Sequence, residues 1–364
     1  MGEVSFLNRL ESLLLKDKWD QPLWFVVLMI PFAWIMRMVT GLRRLSYEKG
    51  LLTKEKLPGK VISIGNIIVG GTGKSPMVHL LARAIVEKGG KPAVLMRGYR
   101  SGMKSNEWVG LLDGDVRFGS QKLIDYTGGD EARMHTRDLP GIPIVVGRHR
   151  YQAARNFLAE SGFEITHWIL DDGLQHLKIA RDVDVVLIDA KRPFGNQRIL
   201  PLGYLREVPH AMRQAKVVVF TRVHDGYPMP VNREKIRHYA PKALVLMSRT
   251  KMGMPKCTKD QIEWSPKFAP TLAICGIARP GHFLDGLKEM GINCGGRLTL
   301  SDHEPINVRE VIKSLGTMRS IVTTAKDYWR DPDVFNQLPV PVFVIPLALV
   351  WDGEDGKRFI DAVF

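Results

Sequence analysis

The amino-acid sequence predicts an α/β protein: a mostly parallel sheet flanked by helices, a second and smaller α/β lobe, and an apolar helix ahead of both. Three observations carry this. Val- and Ile-rich runs such as residues 61–64, 142–146, 183–189 and 216–221 alternate with helical stretches, the pattern of strands buried on both faces of a parallel sheet. The first of these runs enters a glycine-rich loop ending in Gly73-Lys74-Ser75. Residues 22–36 carry no charge and hold Trp24 and Trp34 near their ends.

The loop decides most. Residues 61–75 read as a strand and a turn, with a helix opening at Pro76, where a missing N–H costs nothing. Such a loop wraps backbone N–H groups around nucleotide phosphates, brings a lysine to the outer phosphates and holds Mg²⁺ by a hydroxyl. The phosphate-binding candidates are Ile68, Val69, Gly70, Gly71, Thr72, Gly73, Lys74 and Ser75, and they make the core P-loop NTPase-like. In the standard spacing the first glycine falls at Ile68; here the flexibility sits at Gly70, Gly71 and Gly73 instead. A tight strand-to-helix turn with a chance lysine is the competing reading. The order strand, glycines, Lys-Ser, helix weighs against it.

At 364 residues the chain buries a sizeable core, in one large or two medium domains. Cys257, Cys275 and Cys294 are too few and too irregular for a disulfide framework or a zinc site, which fits a reducing cytoplasm. The 52 Lys+Arg against 38 Asp+Glu give +14, so an anionic partner is expected. No zinc-finger spacing or RNA-binding motif is present, which ranks nucleic acid low.

Residues 22–36 fall short of the roughly 20 apolar residues of a spanning helix. Charges of both signs precede them and no small-residue cleavage site follows, so a cleaved signal peptide is not expected. Arg37, Arg43, Arg44, Lys49, Lys54, Lys56 and Lys60 come next, against Glu48 and Glu55. Interfacial tryptophans beside a basic run suit an anionic membrane surface. A buried core helix with a solvated linker is the alternative, and a single span past Arg37 stays open.

Further along, Arg97-Gly98-Tyr99-Arg100 follows a second strand, and Gly129-Asp130-Glu131 opens a helix. Alone, those acids are an ordinary helix start. Residues 165–170 form a strand ending in Asp171-Asp172-Gly173-Leu174-Gln175-His176. Two aspartates at the end of a buried strand, downstream of a phosphate loop, suit magnesium; a strand-ending turn is the bland alternative. His176 alone reads equally as a core histidine, and Arg206-Glu207 as a solvated pair.

These pieces, with Gly65-Asn66 and residues 200–207, resemble the tetraacyldisaccharide 4′-kinases of lipid A biosynthesis over most of the chain. The displaced glycines are that family's own form of the loop. The resemblance implies transfer of the ATP γ-phosphoryl group to the 4′-hydroxyl of an acylated glucosamine disaccharide 1-phosphate, with ATP and Mg²⁺ as cofactors. It also implies work at the cytoplasmic face of the inner membrane of a Gram-negative bacterium, on an anionic membrane surface, with no nucleic acid and no obligate protein partner. By the same resemblance Lys74 contacts the outer phosphates. Ser75, Asp171, Asp172 and Glu207 are the magnesium-associated positions. Asp130 is the base that takes the hydroxyl proton and His303 the histidine that pairs with it. Arg97, His176 and Arg206 are weaker candidates for substrate contact.

Residues 270–350 read as further strands and helices, the smaller lobe of such a kinase. The expected division is 1–45 for N-terminal helices with the anchor, 46–250 for the kinase core and 251–364 for the smaller lobe. Where family members read Thr-Glu-Lys-Asp, this chain has Thr324-Ala325-Lys326-Asp327. Two rival readings fit the same sequence. A soluble P-loop ATPase or ligase would act on a small molecule without lipid. A membrane-recruited nucleotide switch would bind a protein partner and transfer phosphate slowly or not at all.

Overall fold

The computed structural model describes residues 20–98, 103–120, 129–224, 229–276, 280–300 and 306–364. Helix α1 (Leu23–Glu48) leads into β1 (Lys60–Gly65), α2 (Lys74–Glu87) and β2 (Pro92–Met96). Then come β3 (Trp108–Leu112), β4 (Asp115–Gly119), α3 (Asp130–Asp138), β5 (Ile144–Gly147) and α4 (Arg150–Ser161). Strands β6 (His167–Asp171), β7 (Val183–Asp189) and β8 (Val217–Thr221) follow, then α5 (Met229–Tyr239), β9 (Leu244–Met252) and β10 (Lys256–Cys257). The rest is β11 (Thr271–Cys275), α6 (Pro280–Glu289), β12 (Cys294–Thr299), α7 (Val308–Leu315), β13 (Ser320–Thr324), α8 (Ala325–Arg330), α9 (Pro332–Asn336), β14 (Val342–Ile345), β15 (Leu347–Trp351) and α10 (Asp355–Val363).

The chain forms two compact units, neither continuous in sequence. One holds residues up to Leu95, Phe163–Arg249 and Val350–Phe364; the other holds Met96–Gly162 and Thr250–Leu349. This differs from an uninterrupted core over 46–250. Residues 96–162, within which β3 pairs antiparallel with β4 and β5, group with the C-terminal segment because α3 packs on α8.

In the first unit the strands run in the order β9-β8-β7-β1-β6-β2, joined by parallel pairs. Strand β1 lies at the centre, where the chain goes first to one side and later to the other. The carboxyl end of a strand at such a switch point is the expected place for a ligand. Ile62 and Ile64 are fully buried there, and Ile67, Leu174, Val186, Ile188 and Phe220 pack together beneath the loop.

In the second unit the order β10-β14-β13-β11-β12 is parallel except for β10. Alternate residues of β11 feed two cores, Leu272 and Ile274 on one face, Ala273 and Cys275 on the other.

Helix α1 is not a core helix. Of its residues Phe25 and Ala33 are buried, against Leu202, while Trp24, Leu28, Phe32, Ile35, Val39 and Leu42 are each more than half exposed. It continues past the uncharged stretch to Glu48, with Pro31 inside.

Candidate phosphate-transfer site

The loop after β1 is built by three backbone devices. Gly70 and Gly73 take positive φ of 100° and 83°, a region closed to most side chains. Gly73 caps α2, which begins at Lys74, two residues earlier than Pro76 suggests. The N–H groups of a helix's first turn have no partners within the helix and carry the positive end of its dipole. Thr72 anchors the middle. Its hydroxyl accepts from Asn66 Nδ2 at 2.9 Å and its carbonyl accepts from Thr221 Oγ1 at 2.9 Å. Gly70 and Gly71 are left exposed, and Lys74 and Ser75 half-buried.

Ile68, where the standard motif has glycine, is 6% exposed and bridges antiparallel to Leu205. The Val69 N–H donates to the Tyr204 carbonyl at 2.8 Å. This stretch is thus a strand-like seam against residues 204–205, and a β-branched side chain fills it better than glycine would.

The acidic loop after β6 lies beside β1, in register Ile64 with Asp171. Gly173 packs so closely on β1 that a Cβ there would sit 2.6 Å from Ser63 Oγ. Asp172 holds φ at 50°, uncommon for a non-glycine residue. Its carboxylate receives Arg206 Nη1 at 2.9 and 2.7 Å and stands 3.5 Å from the Lys74 ammonium. Asp171 is buried at 4% exposure. The fold thus gathers Lys74, Asp172 and Arg206, which lie far apart in sequence.

Glu207 faces the other way from Arg206. Its Oε2 receives both Nε and Nη2 of Arg44, at 2.9 and 2.5 Å. Sequence reading gave Arg44 to the basic run beyond the apolar segment; the signal it lacked was a partner, visible only once α1 folds back on residue 207. Asn66 and Arg181 were likewise without an assigned role. Asn66 props Thr72, and Arg181 Nη1 donates to the carbonyls of Gly173 and Leu174 at 3.0 Å each.

The remaining candidates are placed as follows. The His176 N–H donates to the Gly173 carbonyl at 2.9 Å, which closes the turn after the aspartates. Asp130 is the first residue of α3, after Gly129 at φ 103°, and Arg97 is exposed just beyond β2; both belong to the second unit. His303 lies outside the described residues.

The family model for tetraacyldisaccharide-1-P 4′-kinase matches residues 25–364. The chain belongs to the tetraacyldisaccharide 4′-kinase family. A tetraacyldisaccharide 4′-kinase of Geobacter metallireducens is 32% identical over 93% of this chain and 96% of its own. That of Geobacter sulfurreducens is 35% identical over 83% and 82%. The crystal structure of LpxK from Aquifex aeolicus in complex with ATP superposes with a TM-score of 0.67 at 25% identity, over 92% of this chain and 97% of that one. The fold expectation is met: the chain is a mixed α/β kinase with a large, mostly parallel sheet flanked by helices.

A tetraacyldisaccharide 4′-kinase uses a magnesium nucleotide, and the residues present fit one. Among the described residues no three His, Cys, Asp or Glu side chains form a preformed metal cage. Mg²⁺ at a phosphate loop takes one or two carboxylates, keeps waters and draws its other ligands from the nucleotide. The donors at hand are hard oxygens: the Ser75 hydroxyl and the carboxylates of Asp171 and Asp172.

Proposed function

We propose that the loop of residues 68–75 holds the phosphates of Mg·ATP and that the chain passes the γ-phosphoryl group to the 4′-hydroxyl of a tetraacylated glucosamine disaccharide 1-phosphate, at a bilayer surface. The observation that carries the reading is Lys74 at the start of α2, 3.5 Å from Asp172 and beside a glycine in the left-handed region. Family membership supplies the acceptor.

Lys74 neutralises charge on the outer phosphates as the bond to the β-phosphate oxygen lengthens. The first-turn N–H groups of α2 act on the same charge without reorganising. Ser75, Asp171 and Asp172 would hold Mg²⁺, which supplies charge neutralisation on the phosphates. Glu207, the third acidic candidate, serves through its pairing with Arg44. The attacking hydroxyl needs a proton acceptor, the role assigned to Asp130, with His303 as its partner. Arg206 fixes Asp172, and Arg97 and His176 are the other candidates for anionic contact.

The membrane reading rests on α1. At about 1.5 Å per residue its 26 residues span about 39 Å. It is tied to the protein at both ends, by Phe25 near the start and by Arg43 and Arg44 near the finish. A helix so held lies along the protein with its apolar outer side free for lipid, as a monotopic anchor does. The proposed location is the cytoplasmic face of the inner membrane, where the acceptor's acyl chains would remain in the bilayer.

One incubation tests the whole reading: purified protein, ATP, Mg²⁺ and the tetraacylated disaccharide 1-phosphate, with the lipid analysed by mass spectrometry. The expected product carries one more phosphate. No product beside an active control sinks the assignment.

A further inference from the structure

Arg44 belongs by sequence to a basic stretch, but the fold turns it inward, to 13% side-chain exposure against 6% for Glu207. Besides its two bonds to Glu207 Oε2, its Nη2 donates to the Leu174 carbonyl at 3.4 Å. The same carbonyl takes Arg181 Nη1, whose Nη2 stands 3.1 Å from Asp184. Two arginines and two carboxylates thus balance in a largely buried cluster against the back of the Asp171–Leu174 turn.

From there, two short routes reach the phosphate site. In the first, Glu207 is joined through one peptide bond to Arg206, whose own N–H is pinned to the Ile67 carbonyl at 2.8 Å. Arg206 grips Asp172, which faces Lys74. In the second, the neighbouring Arg43 donates to the Gln175 carbonyl at 3.2 Å. Gln175 Nε2 donates to the Asn66 carbonyl at 2.9 Å, and Asn66 Nδ2 holds Thr72 in the loop.

We propose that Arg44 is a positioning residue for phosphoryl transfer. From α1, outside the nucleotide-binding sheet, it fixes Glu207 and the Leu174 carbonyl, and so sets how Arg206 presents Asp172 to Lys74. A lysine at position 44 keeps the charge but not the planar fork whose two nitrogens meet on Glu207 Oε2 while one also reaches the Leu174 carbonyl. The inference rests on the reading that Lys74 and Asp172 serve the phosphates of Mg·ATP.

The test uses the full chain as wild type, Arg44→Lys, Arg44→Met, Glu207→Gln and the double variant Arg44→Met/Glu207→Gln. Affinity for a non-hydrolysable Mg·ATP analogue is measured by calorimetry without lipid. Then kcat, KM for each substrate and melting temperature follow. Arg44→Met is expected to lower kcat and analogue affinity by roughly 10–100-fold, as loss of an orienting partner does, with KM for the lipid unchanged within about two-fold. Arg44→Lys should recover the melting temperature fully and kcat in part, and it carries the test if Arg44→Met does not fold. Since Arg44 acts through Glu207, the double variant should be no slower than the slower single variant. The proposal is overturned if Arg44→Met and Arg44→Lys keep kcat and analogue affinity within about two-fold of wild type. It is equally overturned if the losses multiply in the double variant, or vanish well below the melting temperature. A wild type that binds the analogue but makes no product overturns the acceptor assignment instead, and analogue affinity alone then decides on Arg44.

Discussion

The Lys74 ammonium stands 3.5 Å from the Asp172 carboxylate, across the mouth of the phosphate loop. The pair joins the residue expected to bind nucleotide with one expected to bind metal. Lys74→Ala should therefore remove both turnover and most ATP affinity, a loss of at least roughly 10²–10³-fold in kcat by analogy with a lost charge-stabilising donor. Asp130→Asn should abolish turnover to a similar degree and leave ATP affinity near normal. Titration with a fluorescent ATP analogue, run beside product assays, separates the two. Near-normal turnover in Asp130→Asn would remove that residue as the base.

Arg206 grips both oxygens of Asp172 from one nitrogen, at 2.9 and 2.7 Å. Asp172 sits in the left-handed region, with its backbone fixed by the Gly173 packing, so the carboxylate's freedom is mainly in its side chain. Arg206→Ala releases it. Expected is a fall in kcat of roughly 10–100-fold, the usual cost of losing a residue that orients a metal ligand. The Mg²⁺ concentration giving half-maximal rate should rise as well. A fall in kcat with no change in that concentration would place Arg206 on the substrate instead of on Asp172.

Much of this was legible in sequence because the local chemistry is strong. Residues 183–189 form the expected strand to the residue. Other parts needed the fold. The hairpin β3–β4 is announced by Asp113-Gly114, both with φ > 0 as a tight two-residue turn requires, yet its strands are short and were not read. The run over 342–350 looks like one strand, but Pro346 ends β14 and a new strand starts at Leu347, because proline has no N–H for the ladder. At the site, Lys74 and Ser75 follow from spacing alone. Arg44, Asn66 and Arg181 do not, since each acts through a partner more than four residues away or through a backbone carbonyl.

Ile68 offers a test of why the loop departs from the standard glycine spacing. Restoring that glycine, Ile68→Gly, deletes a side chain that is 6% exposed and frees the backbone next to the Leu205 bridge. The cost should be about 2–5 kcal/mol for the lost burial, and about 0.5–1 kcal/mol more for glycine's freedom. Denaturant unfolding measures it. If stability is unchanged, the seam between 68–69 and 204–205 does not matter and the isoleucine is incidental.

The outer side of α1 separates anchoring from folding. Phe32 and Ile35 are 54% and 61% exposed, whereas Phe25 is 1% exposed against Leu202. Phe32→Glu with Ile35→Glu should leave the melting temperature nearly unchanged, because exposed positions usually count for less than about 0.5 kcal/mol. The same pair should weaken sedimentation with phosphatidylglycerol-containing vesicles by at least roughly ten-fold, since each side chain forfeits about 1.5–3 kcal/mol of burial in lipid. Phe25→Ala should do the reverse, costing about 3–5 kcal/mol of fold stability while leaving the outer apolar side chains in place. Vesicle binding that survives the glutamates would mean that α1 covers some surface other than a bilayer.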